Sequence, residues 1–183
     1  MKPLYIFDLD GTLALIEHRL PFIVAPACPH CGWFKECDHS RNGMRPAFKK
    51  DWRGFFAAVS DDKPNLPVIR TLQALRKSGA ECWIWSGRSD ECKAQTVEWL
   101  QRHGCFGFPT DVLWAWPFGA TERFRMRKAG DYRDDVVVKG EWLAEMEPPE
   151  FDRLTGVFDD RARVVQMWRD AGVPCFQVAA GEF

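Results

Sequence analysis

Apolar residues along the chain fall into two rhythms: short unbroken runs, and longer stretches with an apolar position every third or fourth residue. The run at residues 4–7, followed by Asp8-Leu9-Asp10-Gly11-Thr12, predicts a buried strand whose C-terminal end delivers two carboxylates into a loop. Trp52, Phe55, Phe56 and Val59 fall at helical spacing and predict an amphipathic helix. Residues 64–77 predict a second helix, with Val68, Ile69, Leu72 and Leu75 inward and Gly79 as its stop. Residues 81–85 read as the next strand, ending at Ser86-Gly87-Arg88. Ser89 or Asp90 then caps a helix to His103, with Gly104 just past its end. Residues 111–116 predict a third strand, and Asp134 caps a helix through Met146. Residues 154–158 predict a fourth strand that ends at Asp159-Asp160. Residues 163–171 form the last long helix, closed by Gly172, and residues 175–178 a final strand.

Alternation of strands and helices predicts one α/β domain over residues 1–183, with a central, mostly parallel sheet and helices on both faces. Two segments break the rhythm. Residues 25–47 are rich in Cys, His, Pro and Gly; residues 115–131 are aromatic and basic, with Gly119 and Gly130. Both are expected as excursions above the strand ends, where open α/β sheets bind ligands.

Composition narrows the class. The 25 basic and 26 acidic residues nearly balance, so no global field pulls the chain toward nucleic acid; a local basic groove stays open through Arg123-Phe124-Arg125-Met126-Arg127-Lys128. No apolar stretch is long enough to span a bilayer and no signal peptide precedes the first strand, which predicts a cytoplasmic location (the host cytoplasm for a phage-encoded chain). The seven unevenly spaced cysteines fit reduced thiols better than a disulfide framework. Most of the nine tryptophans are expected in the core.

The predicted strand ends converge on one edge of the sheet. They bring Asp8 and Asp10, then Ser86 and Arg88, then Asp159 and Asp160, with Lys139 on the helix opened by Asp134. Two acids held close repel unless a cation or proton lies between them, which suggests a magnesium site beside an aspartate nucleophile. Acids, a hydroxyl, a lysine and arginines around one point suit phosphoryl transfer.

Asp8-Leu9-Asp10-Gly11-Thr12, Ser86-Gly87-Arg88, Lys139 and Asp159-Asp160 resemble, in order, the four motifs of haloacid dehalogenase-like phosphatases. Residues 126–139, 159–169 and 177–183 are more narrowly similar to the 3′-phosphatase domain of phage polynucleotide kinase-phosphatase. The resemblance implies a Rossmann-like haloacid dehalogenase fold with a small insertion after motif one. It implies Asp8 as nucleophile, Asp10 as general acid and base, and Ser86 and Lys139 as catalytic partners. Magnesium would be held by Asp8, Asp10 (through its carbonyl), Asp159 and Asp160. Arg19, Arg88, Arg127, Thr12, Gly87 and Asp135 would contact substrate, with Asp135 orienting the arginine clamps Arg19 and Arg88. The implied reaction is magnesium-dependent removal of 3′-phosphates from polynucleotide ends, or alternatively hydrolysis of free nucleoside monophosphates. A non-catalytic, zinc-containing binding module is the third reading. This chain lacks the Gly-x4-Gly-Lys-Ser/Thr phosphate loop of the kinase half.

Within the insertion, Cys28-Pro29-His30-Cys31 and Cys37-Asp38-His39 carry ligands suited to tetrahedral zinc. Cys28, Cys31, Cys37 and His39 are the expected four, with His30 as the spare, in a structural rather than catalytic role. Cys82 and Cys175 are expected in the core, and Trp114, Trp116, Phe118 and Phe124 either stack a base or pack a lid.

Overall fold

A parallel sheet organises the chain. In this computed structural model, residues 1–32, 38, 48–106 and 123–181 are described. Strands β1 (Leu4–Phe7), β4 (Glu81–Ser89), β5 (Phe124–Arg127), β6 (Leu154–Arg161) and β7 (Cys175–Gly181) pair in the order β5-β4-β1-β6-β7, every pairing parallel. A two-stranded antiparallel ribbon joins β2 (Ala14–Leu15) to β3 (Lys63–Pro64). The helices are α1 (Trp52–Ala57), α2 (Leu66–Lys77), α3 (Lys93–Arg102), α4 (Asp135–Ala144), α5 (Pro148–Phe151) and α6 (Ala162–Asp170).

Alternation along each strand sorts its side chains between two cores. Phe7, Cys82, Ile84 and Phe124 meet Val68, Ile69 and Leu72 of α2 and Trp99 and Leu100 of α3. Leu4, Ile6, Trp83, Trp85 and Val157 meet Val164, Val165 and Trp168 of α6, with Val136, Trp142 and Leu143 of α4 packed against them. Trp83, Trp85, Trp99 and Trp168 are fully buried, four of the six tryptophans among the described residues. Cys82 and Cys175 are core residues, as expected, and Cys92 and Cys105 join them; the described cysteines are all free thiols.

Several boundaries move for physical reasons. The first helix stops at Ala57, and Val59 enters a separate 3-10 turn. The second begins at Leu66 because Lys63 and Pro64 are spent on the ribbon with β2. Ser89 caps a 3-10 turn (Asp90–Cys92) by accepting the Glu91 N–H, and α3 follows. Asp134 caps α4 by accepting the Val136 N–H, as predicted. The strand expected at 111–116 lies outside the described residues. The strand seen on that edge is β5, inside the segment read as a loop. Its Phe124-Arg125-Met126-Arg127 is short and half basic, which hides it in a hydrophobic profile but suits a sheet edge.

Chain order reverses beside β1: the path runs to β4 and β5 on one side, then crosses to β6 and β7 on the other. The crevice above the carboxyl ends of β1, β4 and β6 is where such sheets bind ligands. Among the described residues no helix is long and apolar enough to cross a membrane.

Trp85 joins the core to the site, lying against Trp83, Trp142 and Trp168 one residue before Ser86. Trp85→Ala is expected to cost roughly 3–5 kcal/mol of unfolding free energy. The urea midpoint should fall with an unchanged m-value.

Candidate active site

Two carboxylates leave the end of β1 in different company. Asp8 is buried and accepts a hydrogen bond from Lys139 Nζ at 2.6 Å; the same ammonium donates to Asp159 Oδ2 at 2.7 Å. Lys139 comes from the second turn of α4 and Asp159 from β6, so three elements meet at one charge. Burial pulls the Lys139 ammonium down, but Asp159 and Asp8 outweigh it and hold it above its ordinary value. For Asp8, burial is the largest effect and pushes the carboxyl well up, with Asp159 and Asp160 adding to it against Lys139.

Asp8, Asp159 and Asp160 each offer an oxygen within 4.8 Å of the others. Burial and the neighbouring Asp159 carboxylate push Asp160 up to about 6, and its described hydrogen-bond donor is the Thr12 hydroxyl at 3.1 Å. Three buried acids around one lysine leave surplus negative charge and hard oxygen donors. That donor set fits a divalent cation such as magnesium. The Asp10 carboxylate stands outside this cluster.

Asp10 instead faces two arginines. Arg19 Nη2 donates to its Oδ1 at 2.6 Å and Arg88 Nε to the same oxygen at 2.5 Å. Burial pushes Asp10 up, but Arg88 and Arg19 together prevail and hold it at about 2. Behind them lies Asp62, which accepts from Arg19 Nε at 2.7 Å, from Arg19 Nη2 at 3.0 Å and from Arg88. Trp99 Nε1 anchors the Asp62 carbonyl at 2.7 Å. Sequence reasoning missed Asp62. The available signal was electrostatic: two arginines destined for burial need more than one counter-charge, and Asp61-Asp62 follows the first helix.

The expected substrate residues divide. Arg88, Gly87, Arg127 and Asp135 line a cleft of about 860 Å³ together with Asp8 and Asp10. Arg19 and Thr12 do not line it: Arg19 is fully buried against Asp10 and Asp62, and Thr12 serves Asp160. The expectation that Asp135 orients Arg19 and Arg88 is corrected. Its carboxylate takes Arg127 and Arg161, while Arg19 and Arg88 are held by Asp10 and Asp62. Arg161, at the end of β6, was the second residue missed; it directly follows Asp159-Asp160. Ser86 is buried, and its hydroxyl accepts the Arg88 N–H at 3.2 Å.

Two glycines make room for carboxylates. Gly11 has φ +86°, and a Cβ there would fall 2.2 Å from Asp160 Oδ2. A Cβ on Gly87 would fall 2.5 Å from Asp135 Oδ1.

Of the proposed zinc ligands, Cys28 is buried and Cys31 exposed, joined by a turn in which the Gly32 N–H reaches the Cys28 carbonyl at 2.8 Å. Cys37 and His39 lie outside the described residues, as do Trp114, Trp116 and Phe118. Phe124 is a core residue of β5 and stacks no base.

A family model of the polynucleotide kinase PNKP phosphatase domain matches residues 47–183. A chain in the structure of a Pnkp1/Rnl/Hen1 complex is 25% identical with a TM-score of 0.65, over 100% of this chain and 48% of that one. A chain in the structure of the Pnkp1/Rnl/Hen1 RNA repair complex is 26% identical with a TM-score of 0.65, over 100% of this chain and 44% of that one. This chain therefore spans about half the length of either. A putative phosphatase from Clostridium difficile shares the fold, at 13% identity and a TM-score of 0.56, over 99% of this chain and 86% of that one.

Gly87→Ala should drive Asp135 away from its arginines without disturbing the sheet. A displacement on the order of 1 Å should lower kcat/KM for phosphate release about 10²-fold. Circular dichroism should stay native. An unchanged kcat/KM would show that Asp135 need not sit where it does.

Proposed function

The chain belongs to the polynucleotide kinase PNKP phosphatase family, and on that premise we propose that it is a magnesium-dependent phosphomonoesterase that removes 3′-phosphates from polynucleotide ends. It is a phosphatase of the haloacid dehalogenase type, so the reading as a non-catalytic binding module does not hold. One observation carries the proposed mechanism: Asp8, paired with Lys139, stands two residues from Asp10, paired with two arginines, on the same cleft.

Asp8 attacks phosphorus in line with the leaving sugar oxygen; a P–O bond to its carboxylate forms as the ester P–O bond breaks. Lys139 keeps the attacking carboxylate aimed. Asp10 gives the departing oxygen its proton and then takes one from the water that hydrolyses the aspartyl-phosphate. The ligand-free site holds Asp10 ionised; an arriving phosphate places negative charge near it and raises its proton affinity. Asp8, Asp159, Asp160 and the Asp10 carbonyl would hold magnesium, which supplies charge neutralisation at the phosphoryl oxygens when bound. Ser86 and the amides of its loop would contact the same oxygens. The cleft of about 860 Å³ has room for more than the phosphate, and the likeness to the polynucleotide kinase phosphatase family and to a chain of an RNA repair complex supports a polymer end over a free mononucleotide.

The test compares phosphate release from 3′-phosphorylated oligonucleotides with release from 3′- and 5′-mononucleotides. The oligonucleotide should be preferred, and a chelator should abolish all activity. Asp8→Asn should reduce activity to background with the fold intact. Asp10→Asn should cost about 10²–10⁴-fold on the sugar phosphate and clearly less on an activated aryl phosphate, whose leaving group needs little protonation. Equal losses on both would remove Asp10 as the general acid; preference for mononucleotides would replace the polymer reading.

On the spacing of its ligands in the sequence, we propose a structural zinc site of Cys28, Cys31, Cys37 and His39. Protein purified without chelator should contain about one zinc per chain, and Cys31→Ser should lose it while retaining aryl-phosphatase activity. Metal analysis without zinc would remove the site.

A further inference from the structure

The two walls of the cleft are unlike. Along one wall nearly every cation is already matched. Arg127 and Arg161 share Asp135; Arg133 is tied to Asp131 at 2.8 Å and to Glu141 at 2.5 Å; Arg163 meets Asp134 at 2.5 Å. Among the described residues of that wall, Lys128 is the cation with no acidic partner. The other wall is α1 and the residues leading into it. Lys50 and Arg53 are exposed there and make no ion pair among the described residues. The intervening Asp51 is turned to the helix, its Oδ1 accepting the Gly54 N–H at 2.8 Å.

The same wall carries an aromatic surface. Trp52 lines the cleft and is 43% exposed, unlike the tryptophans of the core. Its ring is held in place from within the helix. Phe56 stacks on it, centroids 5.9 Å apart at 23°, and Phe55 meets it edge-on at 5.7 Å. Lys50 Nζ lies 5.5 Å from the indole centroid. Phe55 in turn lies 4.1 Å from the Arg19 guanidinium, which grips Asp10. A half-open indole, fixed by its neighbours and flanked by unmatched cations, is the composition that binds single-stranded nucleic acid: the ring takes a base face and the cations take the backbone.

We infer that this wall is a subsite for the nucleotide preceding the one that bears the 3′-phosphate. Trp52 stacks its base, and Lys50 and Arg53 take the phosphodiester that joins the two nucleotides. The inference rests on the reading of the substrate as a polynucleotide end and adds to it a minimum length of two nucleotides. It assigns Trp52 to binding, not to chemistry.

The experiment measures kcat and KM for a 3′-phosphorylated mononucleotide, a 3′-phosphorylated dinucleotide and p-nitrophenyl phosphate. Wild type should show a KM about tenfold lower for the dinucleotide than for the mononucleotide, the size expected of one stacked base. Trp52→Leu should erase that advantage with kcat on all three substrates within about twofold, and Trp52→Phe should restore most of it. Lys50→Ala with Arg53→Ala should flatten the salt dependence of kcat/KM for the dinucleotide only. Equal KM for the two nucleotides in wild type overturns the subsite and leaves the phosphatase reading standing. A Trp52→Leu enzyme that keeps the dinucleotide advantage, or loses equally on p-nitrophenyl phosphate, also overturns it. Wild type that cleaves p-nitrophenyl phosphate but neither nucleotide overturns both the subsite and the polynucleotide reading.

Discussion

Lys139 is the interaction on which the site depends. Its ammonium lies between Asp8 and Asp159, and without it three buried carboxylates would face one another across less than 5 Å. An uncompensated buried charge costs several kcal/mol, so this lysine decides whether β1, β6 and α4 can close together at all. The arrangement leaves the three acids two positive charges short of balance. That shortfall gives a phosphatase its cation site and aims Asp8 into the cleft at the same time.

The second centre solves a related problem differently. Asp10 could repel the acids two residues away, but β1 ends there and the turn through Gly11 sends its side chain toward Arg19 and Arg88. Those arginines bring three donors to Asp62, which lies behind them. The two aspartates of motif one thus sit in separate electrostatic compartments, one buried against a lysine and one between guanidiniums. Different roles for neighbouring carboxylates follow from different surroundings. Around the mouth, Asp135 ties β5 to the end of β6, and the absence of a side chain at Gly87 is what lets it do so.

Much of this was legible from local pattern. The alternation of Cys82, Trp83, Ile84 and Trp85 states that β4 is covered on both faces, and the structure fills those faces with α2 and α3 on one side and α6 on the other. Asp134 announces α4 four residues before its first buried valine, Val138, and the cap is present. What escaped has a common cause. Strand β5 is charged because its two arginines find partners at the two ends of α4, Arg125 in Glu145 and Arg127 in Asp135, so its pattern carries no hydrophobic signal. Asp62 sits in an ordinary acidic pair after a short helix; nothing nearby in sequence reveals that two arginines, 43 and 26 residues away, will need it.

By itself the sequence determined the parallel sheet, the edge at which its polar ends gather, and the acids and lysine that gather there, because strand periodicity and strand-end chemistry are local properties. Only the tertiary structure decided which charge answers which. Arg19 became a buried grip on Asp10 instead of a clamp for substrate; Thr12 turned to Asp160; Asp135 paired with Arg127 and Arg161 rather than with Arg19 and Arg88. A charged side chain chooses its partner by distance in the folded chain and by the cost of leaving either group alone in a low-dielectric interior, and neither quantity exists until the sheet has closed.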